Sequence, residues 1–346
     1  MDLKQLLTMV QESGGTEIHL KVGSPPLVRQ NKFLRKLSMP AVQPVDIAGV
    51  VKQALSPEEL AKFNQLRQFE ANYFGGAPCN YRLNLFQAQS QTMAIIRLIR
   101  KAVPNFAEIS LPPALEALTE AKAGLVILAG PCRSGISTSL AAFVERINQA
   151  RSAHVLLFED PIEFSFEPKK CRITQRQFKK DLYSIESGIN FAKRMDVDVL
   201  VIGDLKRELP FRSILEYVAG GNFVVLTMQT LGIQNTLEKI LYAFPESDRP
   251  YIGNVLATSL LGICSQALLL NPGSKKLIPI HEVFISNSTM AGILQKGRVN
   301  QIEPNLRSAG EGSITFEQSA GRLIRDGMPK DVLDAFVTMY RGVKSA

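Results

Sequence analysis

The segment 130–138, GPCRSGIST, has the residue types and spacing of a phosphate-binding loop. It follows the apolar run 124–129 and opens an amphipathic stretch, which is the strand, loop and helix order that such loops need. In the pattern GxxxxGK[ST], backbone amides surround phosphate oxygens, the lysine neutralises the outer phosphates and the hydroxyl binds Mg²⁺. The segment therefore predicts a nucleotide site made of Gly130, Pro131, Cys132, Arg133, Ser134, Gly135, Ile136, Ser137 and Thr138.

One position of the loop departs from this pattern in its charge. The framing glycines Gly130 and Gly135 are present, and the hydroxyl of Ser137 is the predicted Mg²⁺ ligand, but Ile136 stands where the lysine belongs. A charge-assisted hydrogen bond contributes about 1.5–3 kcal/mol, whereas loss of one preorganised donor slows catalysis by about 10² to 10³. We therefore expect turnover to suffer more than binding. A glycine turn that holds no ligand is the alternative interpretation of the segment.

Composition excludes several classes of protein. The 346 residues are 45% hydrophobic, which suffices for a sizeable core and two domains. The apolar runs are shorter than the roughly 20 residues of a membrane helix, and no signal peptide is evident, so we expect a cytoplasmic protein. The net charge is +8, but the basic residues are scattered without interleaved aromatic residues, which predicts no nucleic-acid partner. The four cysteines and three histidines lack metal-binding spacing.

The pattern of elements changes near residue 100. Residues 1–100 predict a small α+β domain, with a first helix from Leu3, a strand over EIHLKVG, a helix capped at Ser56, and strands at 80–86 and 92–98. The stretch 101–113 has three prolines and predicts a linker.

Residues 114–346 predict a second domain of the α/β class. Short apolar runs over GLVILAG, HVLLF, VDVLVIG and NFVVLTM alternate with segments of helical period, which predicts a mainly parallel sheet covered on both faces, a RecA-like core. The last ~80 residues predict helices with a strand or two around CSQALLL and IPIHEVFI.

Further motifs follow the loop in a fixed order. They are FEDPIEF (158–164), KKCRITQR (169–176), DVDVLVIGDLKR (196–207), GNFVVLTMQT (221–230) and SLLGICSQALL (259–269), with EIHLKVGSPPLVR and YRLNLF near the amino terminus. This set resembles the type IV pilus retraction ATPases, the PilT-like branch of the secretion ATPases, over almost the full chain. The resemblance implies a RecA-like core and a smaller PAS-like amino-terminal domain.

The resemblance assigns roles to acidic residues. Glu159, Asp160 and Glu163 match an acidic box that organises Mg²⁺ and the attacking water, and Glu163 is expected to be catalytic. Asp204 stands where the family has its catalytic glutamate, and its carboxylate reaches roughly one bond length, ~1.5 Å, less far. Because a misplacement of about 1 Å can slow a reaction on the order of a hundredfold, this shorter side chain is expected to slow hydrolysis.

Other departures concern positive charge. Two histidines of the family correspond to Asn222 and Gln229, which form hydrogen bonds but do not become cationic; Gln229 is expected at the nucleotide. Where the family has glycine, Arg133 either strains the loop or supplies the charge that Ile136 lacks.

Two arginines match positions that the family uses to reach nucleotide phosphates from the amino-terminal domain. These are Arg82 and Arg97, while a third such arginine is replaced by Ser90. The family has a basic motif of the AIRNLIR type that is linked to retraction. The corresponding segment here is MAGILQK (290–296), which lacks the two arginines of the family's version.

Cofactors and partners are also implied by the resemblance. ATP and Mg²⁺ are the expected cofactors, with weak or absent binding left open. In this family the nucleotide lies between one subunit's core and its neighbour's amino-terminal domain, which implies a homo-oligomer, a hexamer, or a mixed ring with an active retraction ATPase. The ring would contact the pilus platform protein and lie peripherally at the inner membrane.

Two hypotheses follow, and the sequence leaves both open. In the first, the chain is a hydrolysis-deficient or very slow subunit with a structural or regulatory role. In the second, it is an active hexameric retraction ATPase that uses Arg133 or a neighbouring subunit's arginine as the phosphate cation. A nucleic-acid translocase is disfavoured because no helicase-like motif is found.

Overall fold

The fold was described from a computed structural model that covers residues 2–30, 33–73, 79–100, 102–203, 205, 209–307 and 312–345. The chain divides into two compact units, Met1–Ala102 and Val103–Ala346. The predicted linker, 101–113, therefore belongs to the second unit from Val103 onward. Within this stretch, Phe106 and Leu111 are buried in the core of that unit.

The first unit is an antiparallel sheet with helices on one face. Its strands lie in the order β3-β2-β1-β6-β5-β4. Apolar residues at alternate positions along the strands, among them Ile18, Leu20 and Ile96, pack against the helices α1, α2 and α3. The elements are α1 (Leu3–Glu12), β1 (Glu17–Leu20), β2 (Leu27–Gln30), β3 (Phe33–Lys36), α2 (Pro44–Ala54), α3 (Pro57–Leu66), β4 (Gln68–Tyr73), β5 (Cys79–Ala88) and β6 (Gln91–Arg100).

The predicted elements of this unit are confirmed. Helix α1 and strands β1, β5 and β6 lie where the pattern placed them, and Ser56 caps α3 in a capping box with Glu59. Strands β2, β3 and β4 were not predicted.

The second unit is built on a mainly parallel seven-stranded sheet. Its order is β13-β12-β7-β11-β10-β8-β9, and only the edge strand β13 runs antiparallel to its neighbour. The elements are α4 (Pro113–Leu118), β7 (Gly124–Ala129), α5 (Ile136–Ala150), β8 (His154–Glu159), β9 (Arg172–Gln177), α6 (Ile185–Ala192), β10 (Val199–Ile202), α7 (Phe211–Ala219), β11 (Phe223–Met228), α8 (Ile233–Tyr242), α9 (Arg249–Ser259), β12 (Leu260–Leu270) and β13 (Leu277–Ile285).

Both faces of this sheet are buried, as continuous apolar strands predict. Along β7, Leu125 and Ile127 belong to the core cluster on one face and Val126 and Leu128 to that on the other. The parallel α/β core is thereby confirmed. Strand β9 was not predicted, since its sequence RITQRQ lacks an apolar run.

Four helices end the chain, α10 (Ser288–Gln295), α11 (Ile302–Leu306), α12 (Phe316–Arg325) and α13 (Lys330–Ser345). A buried hydrogen bond ties the last helix to the sheet: the hydroxyl of Tyr340 lies 3.0 Å from Oε2 of Glu282, which also accepts from the amide of Ile233 at 2.8 Å. Within the described ranges, no helix combines the length and the apolar character that crossing a bilayer requires.

Replacing Tyr340 with phenylalanine removes a donor from the buried Glu282 and keeps the ring packing. We expect a loss of about 1–3 kcal/mol in the free energy of unfolding, measured by urea denaturation. Tyr242→Phe is the matched control, because Tyr242 is 62% exposed. An equal loss in the two variants would contradict the structural role of the Tyr340 hydroxyl.

Candidate functional site

The predicted site residues of the second unit gather at one edge of the sheet. Parallel strands present their carboxyl ends on the same side, where open α/β sheets bind ligands. The order β7, β11, β10, β8 places the phosphate loop, Gln229, Gly203 and Glu159 next to one another along this edge.

The loop presents unpaired backbone amides to an anion. Helix α5 begins at Ile136, and its first helical hydrogen bond runs from the amide of Ser139 to the carbonyl of Gly135 at 3.0 Å. The amides of Ile136, Ser137 and Thr138 precede that bond and have no hydrogen-bond partner in the described part of the chain. Three such amides at the positive end of a 15-residue helix are the kind of donor group that favours an anion such as phosphate.

The start of the loop also has the close approach that phosphate loops need. A Cβ atom on Gly130 would overlap the hydroxyl of Ser134 and lie 2.5 Å from the backbone oxygen of Gln266, so only glycine fits. The Ser134 hydroxyl is buried and has no hydrogen-bond partner among the residues described. The shape and the unused donors of the loop therefore fit a phosphate group.

The charge of the loop does not match its shape. Ile136 is half-buried, packs against the core cluster beneath α5, and its Cγ1 lies 2.9 Å from the Cβ position of Gly130. The side chain at the lysine position is therefore an uncharged one that packs against Gly130.

Arg133 has a left-handed backbone conformation, with φ of 65°. This conformation costs a residue with a Cβ on the order of 1–2 kcal/mol, which is the strain expected from the sequence. Its side chain is exposed, as are Pro131 and Cys132.

Gln229 lies beside the loop, and Asn222 does not. Sγ of Cys132 is 3.6 Å from Oε1 of Gln229, which directly follows β11. Asn222 precedes the same strand, where its carbonyl accepts from the amide of Gly124 and its side chain donates to Tyr217. Of the two positions that correspond to family histidines, only Gln229 is therefore at this edge.

The acidic box contains a buried carboxyl group. Glu159 ends β8, is 9% exposed, and accepts a hydrogen bond from Nε2 of Gln175 at 2.9 Å. Burial, with a smaller contribution from the nearby Glu163 carboxylate, raises the pKa of Glu159 to about 7. The hydrogen bond from Gln175 acts in the opposite direction and is outweighed. Near neutral pH Glu159 therefore carries a proton about half of the time, and an incoming cation would favour its release.

Asp160 and Glu163 are half-buried and follow Glu159. Asp204 lies outside the described residues. The residue before it, Gly203, lies beside Glu159: a Cβ atom on Gly203 would be 3.0 Å from Cγ of Glu159.

Mg²⁺ would be held through the hydroxyl of Ser137. Bound, the ion would neutralise charge on phosphate oxygens. The structure, over the residues that it describes, has no group of three or more Asp, Glu, His or Cys side chains placed to hold a metal ion.

Arg82 and Arg97 are neighbours in the first unit. They lie directly opposite each other on β5 and β6. Nε of the buried Arg82 is 3.2 Å from Oε1 of Glu70, and Glu17 lies opposite Arg97 on β1. Two like charges in opposite positions disfavour the pairing of the strands, and the Glu70 carboxylate offsets the charge of Arg82.

Four polar residues near the acidic box or the loop were missed by sequence reasoning. They are Gln175, which holds Glu159, and Ser139, Gln266 and His281, which form a buried hydrogen-bonded group behind the loop. The sequence contained one signal for this group, since a glutamine within the apolar strand ICSQALLL needs a buried partner.

Comparison with known proteins identifies the family. Residues 77–311, more than half of the chain, match the family described as Type II/IV secretion system protein. The chain is 25% identical over 329 residues to the type IV pilus retraction ATPase PilT of Pseudomonas aeruginosa, with 95% of each chain covered. It is 26% identical over 328 residues to the type IV pilus ATPase PilU of the same organism, covering 94% of this chain and 86% of PilU. The chain belongs to the PilT-like branch of this family.

Solved structures agree with the fold of this PilT-like protein. The pilus retraction motor PilT with bound ADP superposes with a TM-score of 0.85 and 26% identity over 95% of this chain and 94% of that one. The ATPase DotB of Legionella pneumophila shares the fold, with a TM-score of 0.86 at 17% identity over 97% of this chain and 95% of that one. The α/β class, with a mainly parallel core and a smaller amino-terminal domain, is confirmed.

Replacing Glu159 with glutamine tests the buried carboxyl group. In the folded protein the pKa of Glu159 is about 7, whereas its ordinary pKa is 4.5. The folded state therefore binds more protons than the unfolded state between these two pH values. Stability consequently falls as the pH rises through this range. We expect Glu159→Gln to match the native protein below about pH 4.5 and to be more stable at pH 8, by up to about 3 kcal/mol.

Urea denaturation at pH 4 and pH 8 measures the difference. Glu216→Gln, an exposed change on α7, serves as the control and should show no such pH-dependent gain. Equal stability of native and Glu159→Gln proteins at pH 8 would contradict the raised pKa.

Proposed function

We propose that this PilT-like protein binds ATP weakly and hydrolyses it very slowly or not at all. It acts as a structural or regulatory subunit in pilus retraction or twitching motility. The observation that carries the proposal is Ile136, whose aliphatic side chain occupies the position of the phosphate-binding cation in a loop that keeps its framing glycines and the hydroxyl of Ser137. Binding and hydrolysis depend on this cation to different degrees.

Binding is expected to persist because the amide donors remain. The unpaired amides of the first turn of α5 and the free hydroxyl of Ser134 both favour a phosphate group. Losing one charge-assisted contact of about 1.5–3 kcal/mol weakens affinity by roughly ten- to a hundredfold. Nucleotide binding is also supported by the bound ADP of the similar PilT structure.

Hydrolysis is expected to fail for several reasons at once. Besides Ile136, Asp204 is shorter than the family's glutamate, Gln229 is uncharged beside the loop, and Arg133 strains it. Together the changes affect several sides of the same nucleotide site, so one compensating residue would not restore the set. These combined losses support a role that does not require turnover.

The proposed assembly is a ring, either a homohexamer or a mixed ring with an active retraction ATPase. Arg82 and Arg97, directly opposite each other on neighbouring strands, are the groups proposed to contact a phosphate of a neighbouring subunit's nucleotide. We propose that the ring contacts the pilus platform protein from the cytoplasmic side of the inner membrane. No nucleic-acid partner is proposed, in accordance with the scattered basic residues.

The second candidate is an active ATPase with a rewired loop. It is favoured by one observation: Arg133 places an exposed guanidinium three residues before Ile136, within the loop itself. In this case Arg133 is the phosphate cation.

Phosphate release with ATP and Mg²⁺ separates the two candidates. We expect the native protein to release phosphate at the blank rate. Ile136→Lys should tighten ATP binding by about ten- to a hundredfold while turnover stays slow, because Asp204 and Gln229 are unchanged. Ile136→Met is the matched control, since methionine is unbranched like lysine but uncharged, and it should not tighten binding.

Brisk phosphate release by the native protein alone would overturn the proposal. If that release is abolished in Arg133→Gly, the rewired enzyme is the correct function. The same assay in the presence of an active retraction ATPase tests the mixed ring, where a changed rate of the partner supports a regulatory subunit.

A further inference from the structure

Gln266 is a buried amide at the centre of a hydrogen-bonded group behind the phosphate loop. It lies on β12 and is 4% exposed. Its Nε2 donates to the carbonyl of Ser134 at 2.7 Å, and its Oε1 accepts from Oγ of Ser139 at 2.8 Å. Nε2 of His281, on the neighbouring strand β13, lies 3.1 Å from the same Oε1.

The chemistry of these partners fixes the orientation of the amide. The Ser134 carbonyl only accepts hydrogen bonds, so the NH₂ group of Gln266 must face it. Oε1 then faces Ser139 and His281, so Nε2 of His281 carries the proton. Burial lowers the pKa of His281 to about 4, which keeps the ring neutral at pH 7 with a single N–H. Every polar atom of the Gln266 side chain thus points to a defined partner.

This orientation determines how the loop presents its amides. In a trans peptide the carbonyl and the next N–H point in opposite directions. With the Ser134 carbonyl held toward Gln266, the N–H of Gly135 points away from β12. A Cβ on Gly135 would lie 2.9 Å from Nε2 of Gln266, so the backbone passes close to this side chain.

We propose that Gln266 is a positioning residue that holds the phosphate loop in its phosphate-accepting conformation in the absence of the lysine, and that His281 and Ser139 hold Gln266. An apolar residue at 266 would leave the buried Ser134 carbonyl without this donor, and the peptide would be free to turn toward another one. Since Gly135 allows both signs of φ, such a turn meets little steric resistance. The inference rests on the proposed nucleotide binding, and it specifies how the loop remains competent.

Gln266→Met tests this inference, because methionine has a similar length and no amide. The matched control is Ser265→Ala on the same strand: Ser265 is buried, and its Oγ accepts from the amide of Gly232 at 2.8 Å and not from a residue of the loop. Two readouts are compared at pH 7. The first is amide hydrogen exchange in the nucleotide-free protein at Ser134 and Ser139, whose hydrogen bonds depend on the loop conformation. The second is the affinity for ATP and for adenosine, measured by calorimetry.

We expect Gln266→Met to accelerate exchange at Ser134 and Ser139 about tenfold and to weaken ATP binding about tenfold, with adenosine binding unchanged. Ser265→Ala should leave both readouts as in the native protein, even if it lowers the melting temperature. A general loss of stability would affect the two variants alike and would weaken adenosine and ATP together.

Unchanged exchange at both amides in Gln266→Met would overturn the inference, and so would an equal acceleration in Ser265→Ala. If the native protein binds neither ATP nor adenosine, the proposed nucleotide binding fails, and the exchange comparison alone still decides whether Gln266 positions the loop.

Discussion

The constraint on which the proposed function depends is the charge of the loop before α5, where Ile136 stands at the position of a lysine. The nest of amides at the start of α5 offers only the partial charges of the backbone, roughly half an elementary charge. A triphosphate also needs a full cation on its outer groups, and Ile136 supplies none. The proposed function rests on this difference between the amides that the loop offers and the charge that Ile136 lacks.

The fold explains how the loop can lack the lysine at position 136 while the strands that position the site remain in place. The sheet order brings four strand ends together, and their positions depend on buried apolar strands that Ile136 does not disturb. Its side chain packs against the same core cluster as its neighbours in α5. The loop is bonded to β11 through the amide of Gly130 and to β12 through the carbonyl of Ser134, and neither contact involves the side chain of Ile136.

The sequence predicted the core strands, the capped helix α3 and the location of the loop, because each depends on local periodicity or on a few adjacent residues. Strand β9 was missed because its residues are polar. The distance between Asn222 and the loop, the buried state of Glu159 and the contacts of Gln266 depend on which residues meet after folding. Such tertiary contacts leave little trace in a single sequence, even where the motif itself is visible.

Calorimetric titration of the native protein with ADP and with ATP, in the presence of Mg²⁺, measures the missing charge most directly. If the cradle lacks a cation for the outer phosphate, both nucleotides bind with affinities within about tenfold of each other, since the γ-phosphate gains no full charge-assisted contact. A preference for ATP over ADP of about a hundredfold or more would contradict the account, because it would require a cation on the γ-phosphate.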